Sequence, residues 1–161
     1  MTLNRIDENT IALEEVDPFC ADLLEQIVPN ADPGDDPAAR NRIYSSPTHG
    51  ADPEADDEWK EYVEPELRIL FRDALEVVRS DLENLSPPEP ALVRHLHLPL
   101  DHLEAWIHAL NQARLVLSTR FQFGEHEMER LVPTGANDRS LALLRVHLYG
   151  ALQEYFLQQL D

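Results

Sequence analysis

A chain of 161 residues with a hydrophobic fraction of 43% is the size of one ordinary domain, able to withdraw about 70% of its unfolded surface from water. Its formal net charge of −18 repels phosphate backbones and anionic lipid, so neither nucleic acid nor a membrane surface is an expected partner. Cys20 is the lone cysteine, which excludes an intrachain disulfide framework and suits a reducing compartment.

Two short apolar arms, residues 3–6 and 10–13, flank the turn residues Asp7, Glu8 and Asn9, the pattern of a small hairpin filling residues 1–14. Asp17 followed by Pro18 starts a helix to about residue 28, with Asp as N-cap and Pro at the first helical position. Cys20, Leu23, Leu24 and Ile27 form its apolar face. Residues 29–53 carry five prolines and two glycines and read as a Pro-rich connecting loop with a helical turn or two near 37–44. A connection of that length is expected to wrap the surface or to move. Asp52 and Pro53 repeat the helix-start pattern, and the acids Glu54, Asp56, Asp57 and Glu58 suit the positive end of a helix dipole.

Pro65 predicts a kink or break near Glu64. Beyond it an apolar stripe recurs from Leu67 through Leu70, Phe71, Ala74 and Val78 to Leu85, with Arg72–Glu76 and Arg79–Glu83 spaced as surface pairs. The block Pro87, Pro88, Glu89, Pro90 stops this helix. Residues 92–98 suit a short strand pairing with the hairpin. Asp101 and Glu104 then predict an aspartate capping box for a long helix, 101–123, ended by Gly124. The last helix starts at Asn137 or Asp138 and runs to about residue 160, with Leu141, Leu144, Leu148, Leu152, Tyr155 and Phe156 as its apolar face. Gly150 inside it costs about 1 kcal/mol relative to Ala, which points to a close crossing there. The fold class is mainly α: a single-domain helical bundle over 1–161, of about four to five helices, with a small N-terminal β-hairpin. No apolar run approaches the roughly 20 residues that cross a bilayer. The first residues lack the basic start and apolar block of a secretory signal, so a cytoplasmic location is expected.

Seven histidines invite a metal reading. His95 and His97 share one strand face with Asp101 and His102 nearby, but no further ligand motif supports them, and no metal is expected. Cys20 falls on an apolar face, where a buried, inert thiol is the usual finding. His147 lies at the edge of the last helix's apolar face, the usual place of a semi-buried, hydrogen-bonded histidine. No nucleophile elbow, phosphate loop or dinucleotide turn occurs. Catalytic residues and a cofactor are therefore not assigned, and the chain reads as a non-enzyme.

The sharper lead is an arginine inside an apolar stripe. Leu103, Ile107, Leu110, Leu117 and Phe121 recur at helical steps, and Arg114 completes their row. A guanidinium keeps its proton, so burying it demands a carboxylate, a carbonyl or an anionic ligand. Arg120 lies at the margin of the same stripe, and Asn111 precedes Arg114 by three. Two readings follow. In one, Arg114 and Arg120 pair with core-proximal acids such as Glu66, Asp73 or Glu104, or with loop carbonyls. In the other, Arg114, Arg120 and Asn111 line a pocket for a carboxylate, a phosphate or a partner's acidic group.

The block EAWIHALNQARLVLSTR within this helix resembles the bacterial, mainly actinobacterial, family catalogued as domain of unknown function twenty-seventeen. The likeness extends to the opening hairpin and helix, the acidic run before Trp59 and the closing helix. Ser118 stands where members tend to have glycine before Thr-Arg. The resemblance lends no activity and no catalytic residues; Trp106, Asn111, Arg114 and Arg120 carry over only as family-like positions. Members are often encoded near a protease adaptor and a metalloprotease-like hydrolase, which implies a proteolysis-linked partner or a tie to amino-acid metabolism.

Charge is uneven: 18 acids against 4 bases in residues 1–66, and 13 against 9 in residues 67–161. The acidic half is the side expected to face a basic partner surface. The leading expectation is a non-enzymatic interaction or regulatory module; the alternative is a binder of a small anionic ligand through the arginine cluster. The protein partner and the oligomeric state are left open by the sequence.

Overall fold

The computed structural model describes residues 1–85, 93–130, 135 and 137–161. Strand β1 (Thr2–Arg5) and strand β2 (Thr10–Val16) form the expected antiparallel hairpin, with Leu3 opposite Leu13. Strand β3 (Arg94–Pro99) pairs with the other edge of β2, giving the order β1-β2-β3. Residue 92, where that strand was expected to begin, lies outside the described residues. The β2 register breaks between Leu13 and Val16, where Glu15 has a φ of 52°. This bulge leaves Glu14 and Glu15 both in solvent and returns Val16 to the core.

Asp17 caps helix α1 (Pro18–Glu25), its carboxylate accepting from the Cys20 amide at 2.8 Å. The helix expected to reach residue 28 ends at Glu25, and α2 (Ile27–Ala31) resumes after Gln26. Pro29 explains the break. It has no N–H for the Glu25 carbonyl, and its ring crowds that carbonyl. The 29–53 segment is correspondingly more ordered than a connecting loop. It holds the end of α2 and all of α3 (Pro37–Ile43), capped by the Asp36 side chain on the amides of Ala38 and Ala39. Its last stretch is tied down by Asp56, only 6% exposed, which accepts from the Thr48 hydroxyl at 2.7 Å and the Gly50 amide at 2.6 Å. Those bonds, the Thr48 hydroxyl first, hold its carboxyl below the usual range.

Helices α4 (Pro53–Tyr62) and α5 (Glu64–Glu83) meet at Val63, the break that Pro65 predicts. Only part of the α5 stripe reaches the core: Ala74 and Val78 are buried, whereas Ile69 and Leu70 are 50% and 48% exposed. The two i,i+4 pairs expected on its surface are replaced by nearer ones, Arg79 with Glu76 and Arg72 with Asp73. The proline stop at 87–90 lies outside the described residues, as does most of the 131–136 stretch before the last helix.

A single 3-10 turn, Leu100–His102, leads into the central helix α6 (Leu103–Phe121). Asp101 is spent inside that turn, so the expected capping box is absent: His102 is the N-cap, without a side-chain cap bond. At the far end Gln122, not Gly124, takes the left-handed conformation (φ 48°), and Gly124 opens the short α7 (Glu125–Met128). Helices α2, α3, α5 and α8 (Asp138–Leu160) all pack on α6, which is why it buries Trp106, Leu110, Ala113 and Val116 as well as Leu103 and Leu117. Trp106 meets Phe156 of α8 edge-on, centroids 6.0 Å apart.

Asn137 caps α8, accepting from the Ser140 amide at 2.8 Å. Its buried face is Ala142, Leu143, Val146, Tyr149, Leu152 and Phe156; the expected Leu141, Leu144 and Leu148 are only half-buried. Tyr149 decides that rotation. Its fully buried hydroxyl donates to the Leu23 carbonyl at 2.7 Å and accepts from the Asn30 amide at 3.2 Å, so the ring goes inward with its polar tip satisfied. Burial pushes this phenol up to about 12. The architecture is mainly α with a small N-terminal antiparallel sheet; the helices beyond the long ones expected are short. Among the described residues no helix is long and apolar enough to cross a membrane.

Candidate functional site

Asn111, Arg114 and Arg120 all lie on α6, and the structure sends them to different places. Asn111 is exposed. Arg120 Nη2 donates to the carbonyls of Asp32 and Pro33, each at 3.2 Å, and its Nε lies 3.9 Å from the Asp36 carboxylate. It ties the end of α6 to the link between α2 and α3, using loop carbonyls of the kind the sequence allows. Six helical residues turn through about 600°, so Arg114 faces elsewhere, toward α8. Glu66, Asp73 and Glu104 are exposed and pair with neither arginine among the described residues.

Arg114 lies across Gly150 of α8. A Cβ on that glycine would stand 3.3 Å from the guanidinium carbon and 3.4 Å from Nε and Nη2, so the group rests nearly flat on the helix backbone. The close approach that Gly150 permits is therefore with a side chain rather than a second helix axis. Nη1 donates to the Gln153 side-chain carbonyl at 2.8 Å. Among the described residues no carboxylate lies within 4.0 Å, and Nε is buried without a protein partner. His147, one turn earlier on α8, is half-buried with Nε2 in the same condition. Both line a groove of about 430 Å³ walled by Gln153 and Glu154, with Met128 and Leu157 also lining it.

A larger cleft, about 610 Å³, opens between α5 and α2. Phe71, Leu75 and Leu82 face Val28, Pro29 and Pro33 across it, and Gln112 contributes from α6. Gln112 is 5% exposed; its amide donates to the Ala31 carbonyl at 2.8 Å, leaving its own carbonyl buried without a partner. On the rim Arg68 lies over the Tyr44 ring, 4.9 Å from its centroid, and pairs with Glu64 at 2.8 Å. Burial pushes the Tyr44 phenol up, with Arg68 opposing.

One polar node escapes sequence reading altogether. Asp81 of α5, 6% exposed, accepts from Trp106 Nε1 at 2.8 Å and stands 3.0 Å from His102 Nδ1. It fastens α5 to the start of α6. An acid near the end of an amphipathic helix reads as surface; only the meeting of two helices reveals its partners. His95 and His97 are exposed on the outer sheet face, their rings 5.5 Å apart. Among the described residues no group of three or more metal-ligating side chains assembles. Cys20 is half-buried rather than buried as expected; burial, then the Asp17 charge, pushes its thiol up.

Against known proteins, the chain belongs to the family described as Domain of unknown function (DUF2017), whose model matches residues 6–160. No curated protein and no solved structure matches it.

Proposed function

We infer that this member of an uncharacterised family works in the cytoplasm as a non-enzymatic interaction or regulatory module, presenting the outer face of the α4–α5 arm to a basic surface on a protein partner. One observation carries the reading. Ile69 and Leu70 are half exposed on α5, flanked at helical spacing by exposed Glu66 and Asp73, with Tyr62, 65% exposed, just before the helix. Apolar side chains left in water and framed by carboxylates are what a partner with apolar sockets and a basic rim recognises. The face straddles residues 1–66, where acids outnumber bases 18 to 4, and residues 67–161, where the count is 13 to 9; an acidic chain meets basic surfaces faster and disfavours nucleic acid and anionic lipid.

The family resemblance adds a proteolysis-linked protein, in a bacterial and chiefly actinobacterial setting, as the partner class to try first. The test is cross-linking of the full chain in its own cells, followed by reconstitution with each purified candidate. A partner bound through this face is lost on Leu70→Ser with Ile69→Ser, and weakens at about 0.5 M salt, while the melting temperature is held. Binding that survives both changes defeats the reading.

A further inference from the structure

A guanidinium carries five N–H donors in a planar fork and a charge that no ordinary pH removes. In Arg114 the Nη1 edge is met by Gln153 at 2.8 Å, and the face rests on Gly150. What remains is the Nε–Nη2 edge, the pair of donors spaced to match two oxygens of one carboxylate or phosphate. Its Nε is out of solvent and has no protein partner among the described residues. His147 Nε2, also buried and unpartnered, belongs to the same groove.

Charge singles the site out further. Other inward-leaning arginines find carboxylates: Arg94 reaches Glu25 at 2.9 Å, and Arg145 approaches Asp22 at 3.8 Å. Arg114 has none within 4.0 Å among the described residues, in a chain with 31 acids. Glu154, the acid on the groove wall, is exposed and accepts from the Gln158 amide at 3.1 Å. A buried guanidinium N–H without a partner and one uncompensated cation on a single groove, with the unpartnered His147 Nε2 in it, call for an acceptor that also brings negative charge. A neutral carbonyl supplies half of that, and a cation is repelled. The net charge of −18 does not prevent it, because exposed charges beyond about 8 Å are screened at physiological salt.

We propose that the groove between α6 and α8 binds a small oxyanion, a carboxylate or a phosphate monoester, through the Nε–Nη2 edge of Arg114 with His147 beside it. Gly150 is part of the site: a Cβ there would press on the guanidinium from 3.3 Å, so the glycine lets the group lie close on α8, and Gln153 holds its Nη1 edge. The site does not depend on the α4–α5 face and stands or falls separately from it.

The experiment titrates the full chain with inorganic phosphate and, separately, with acetate at constant ionic strength. It follows the His147 ring signals by NMR and the melting temperature. The expected result is saturable movement of the His147 signals with one of the two anions in the millimolar range or below. Preference for phosphate identifies phosphate monoesters as the ligand class, and preference for acetate identifies carboxylates. Arg114→Lys, which keeps the charge and loses the fork, weakens binding by about tenfold or more; Gly150→Ala, which pushes a methyl into the guanidinium, does likewise; Arg120→Gln leaves it unchanged. Because the His147 readout is taken on the natural chain, it decides even where a variant fails to fold. Non-saturating shifts with both anions, or equal affinity in Arg114→Lys, overturn the proposal.

Discussion

Arg120 and Arg114 stand six residues apart on one helix and end in opposite circumstances. Arg120 closes a gap in the backbone: two carbonyls and a nearby carboxylate take its donors, and the link between α2 and α3 is held by it. Arg114 closes nothing. It lies on a glycine, has one amide for a partner, and keeps a buried Nε unmatched. A structural arginine is recognised by what it satisfies, and an arginine available to a ligand by what is left over. The Asp81 node belongs with Arg120, since its carboxylate serves Trp106 and His102 together.

Measurements on the satisfied groups bring the largest effects. Asp81→Ala strands the Trp106 indole N–H inside the core and unties α5 from α6. We expect a loss of about 3 kcal/mol in urea unfolding with an unchanged m-value; a loss below about 1 kcal/mol would show the node to be ornamental. Arg120→Met removes two bonds at the long end of hydrogen-bond range and an exposed ion pair, and about 1 kcal/mol is expected from the same measurement.

Arg139 supplies a third, pH-dependent standard. Its Nε and Nη2 bind both oxygens of Glu127 at 2.7 and 2.6 Å, and that contact holds the glutamate down to about 2. The folded value lies below the unfolded one, so this pair stabilises the fold above the ordinary glutamate range, and its contribution fades as pH falls from about 4.5 toward 2. Arg139→Gln should flatten that limb of the acid titration; an unaltered limb would mean that the pair adds nothing. The smallest change is expected at Arg114 itself. Arg114→Met trades an uncompensated cation for an apolar side chain of similar reach, and stability should hold within about 0.5 kcal/mol or rise. A loss matching that of Arg120→Met would erase the contrast and make Arg114 structural too.

Much of the scaffold was legible because local chemistry fixes it. Asp17, Asp52 and Asn137 cap the helices that follow them, since a side-chain acceptor beside free amides acts within three residues. The hairpin and the break at Pro65 are local in the same sense. The misreadings share an opposite origin. The buried face of α8 was set by Tyr149 finding the Leu23 carbonyl, 126 residues away. The α6 cap moved because the chain leaving β3 closes a 3-10 turn, where the Leu100 amide donates to the Asn9 carbonyl at 2.7 Å. Of the candidate site, Arg114 was legible as a charge in an apolar row. His147 in the Arg114 groove was not, because nothing in the spacing of α8 tells which residues face α6.

By itself, then, the sequence determined the mainly α composition, the hairpin, the position of most caps and the presence of a permanent cation among leucines, all of which follow from neighbours a few residues apart. Tertiary structure alone decided that Arg114 and Arg120 diverge, that Asp81 is interior, and that α5 keeps Ile69 and Leu70 in water. Those outcomes depend on which helix covers which face, and coverage is a property of packing between distant segments, where the partner of a buried polar atom is chosen by geometry that no short stretch of chain contains.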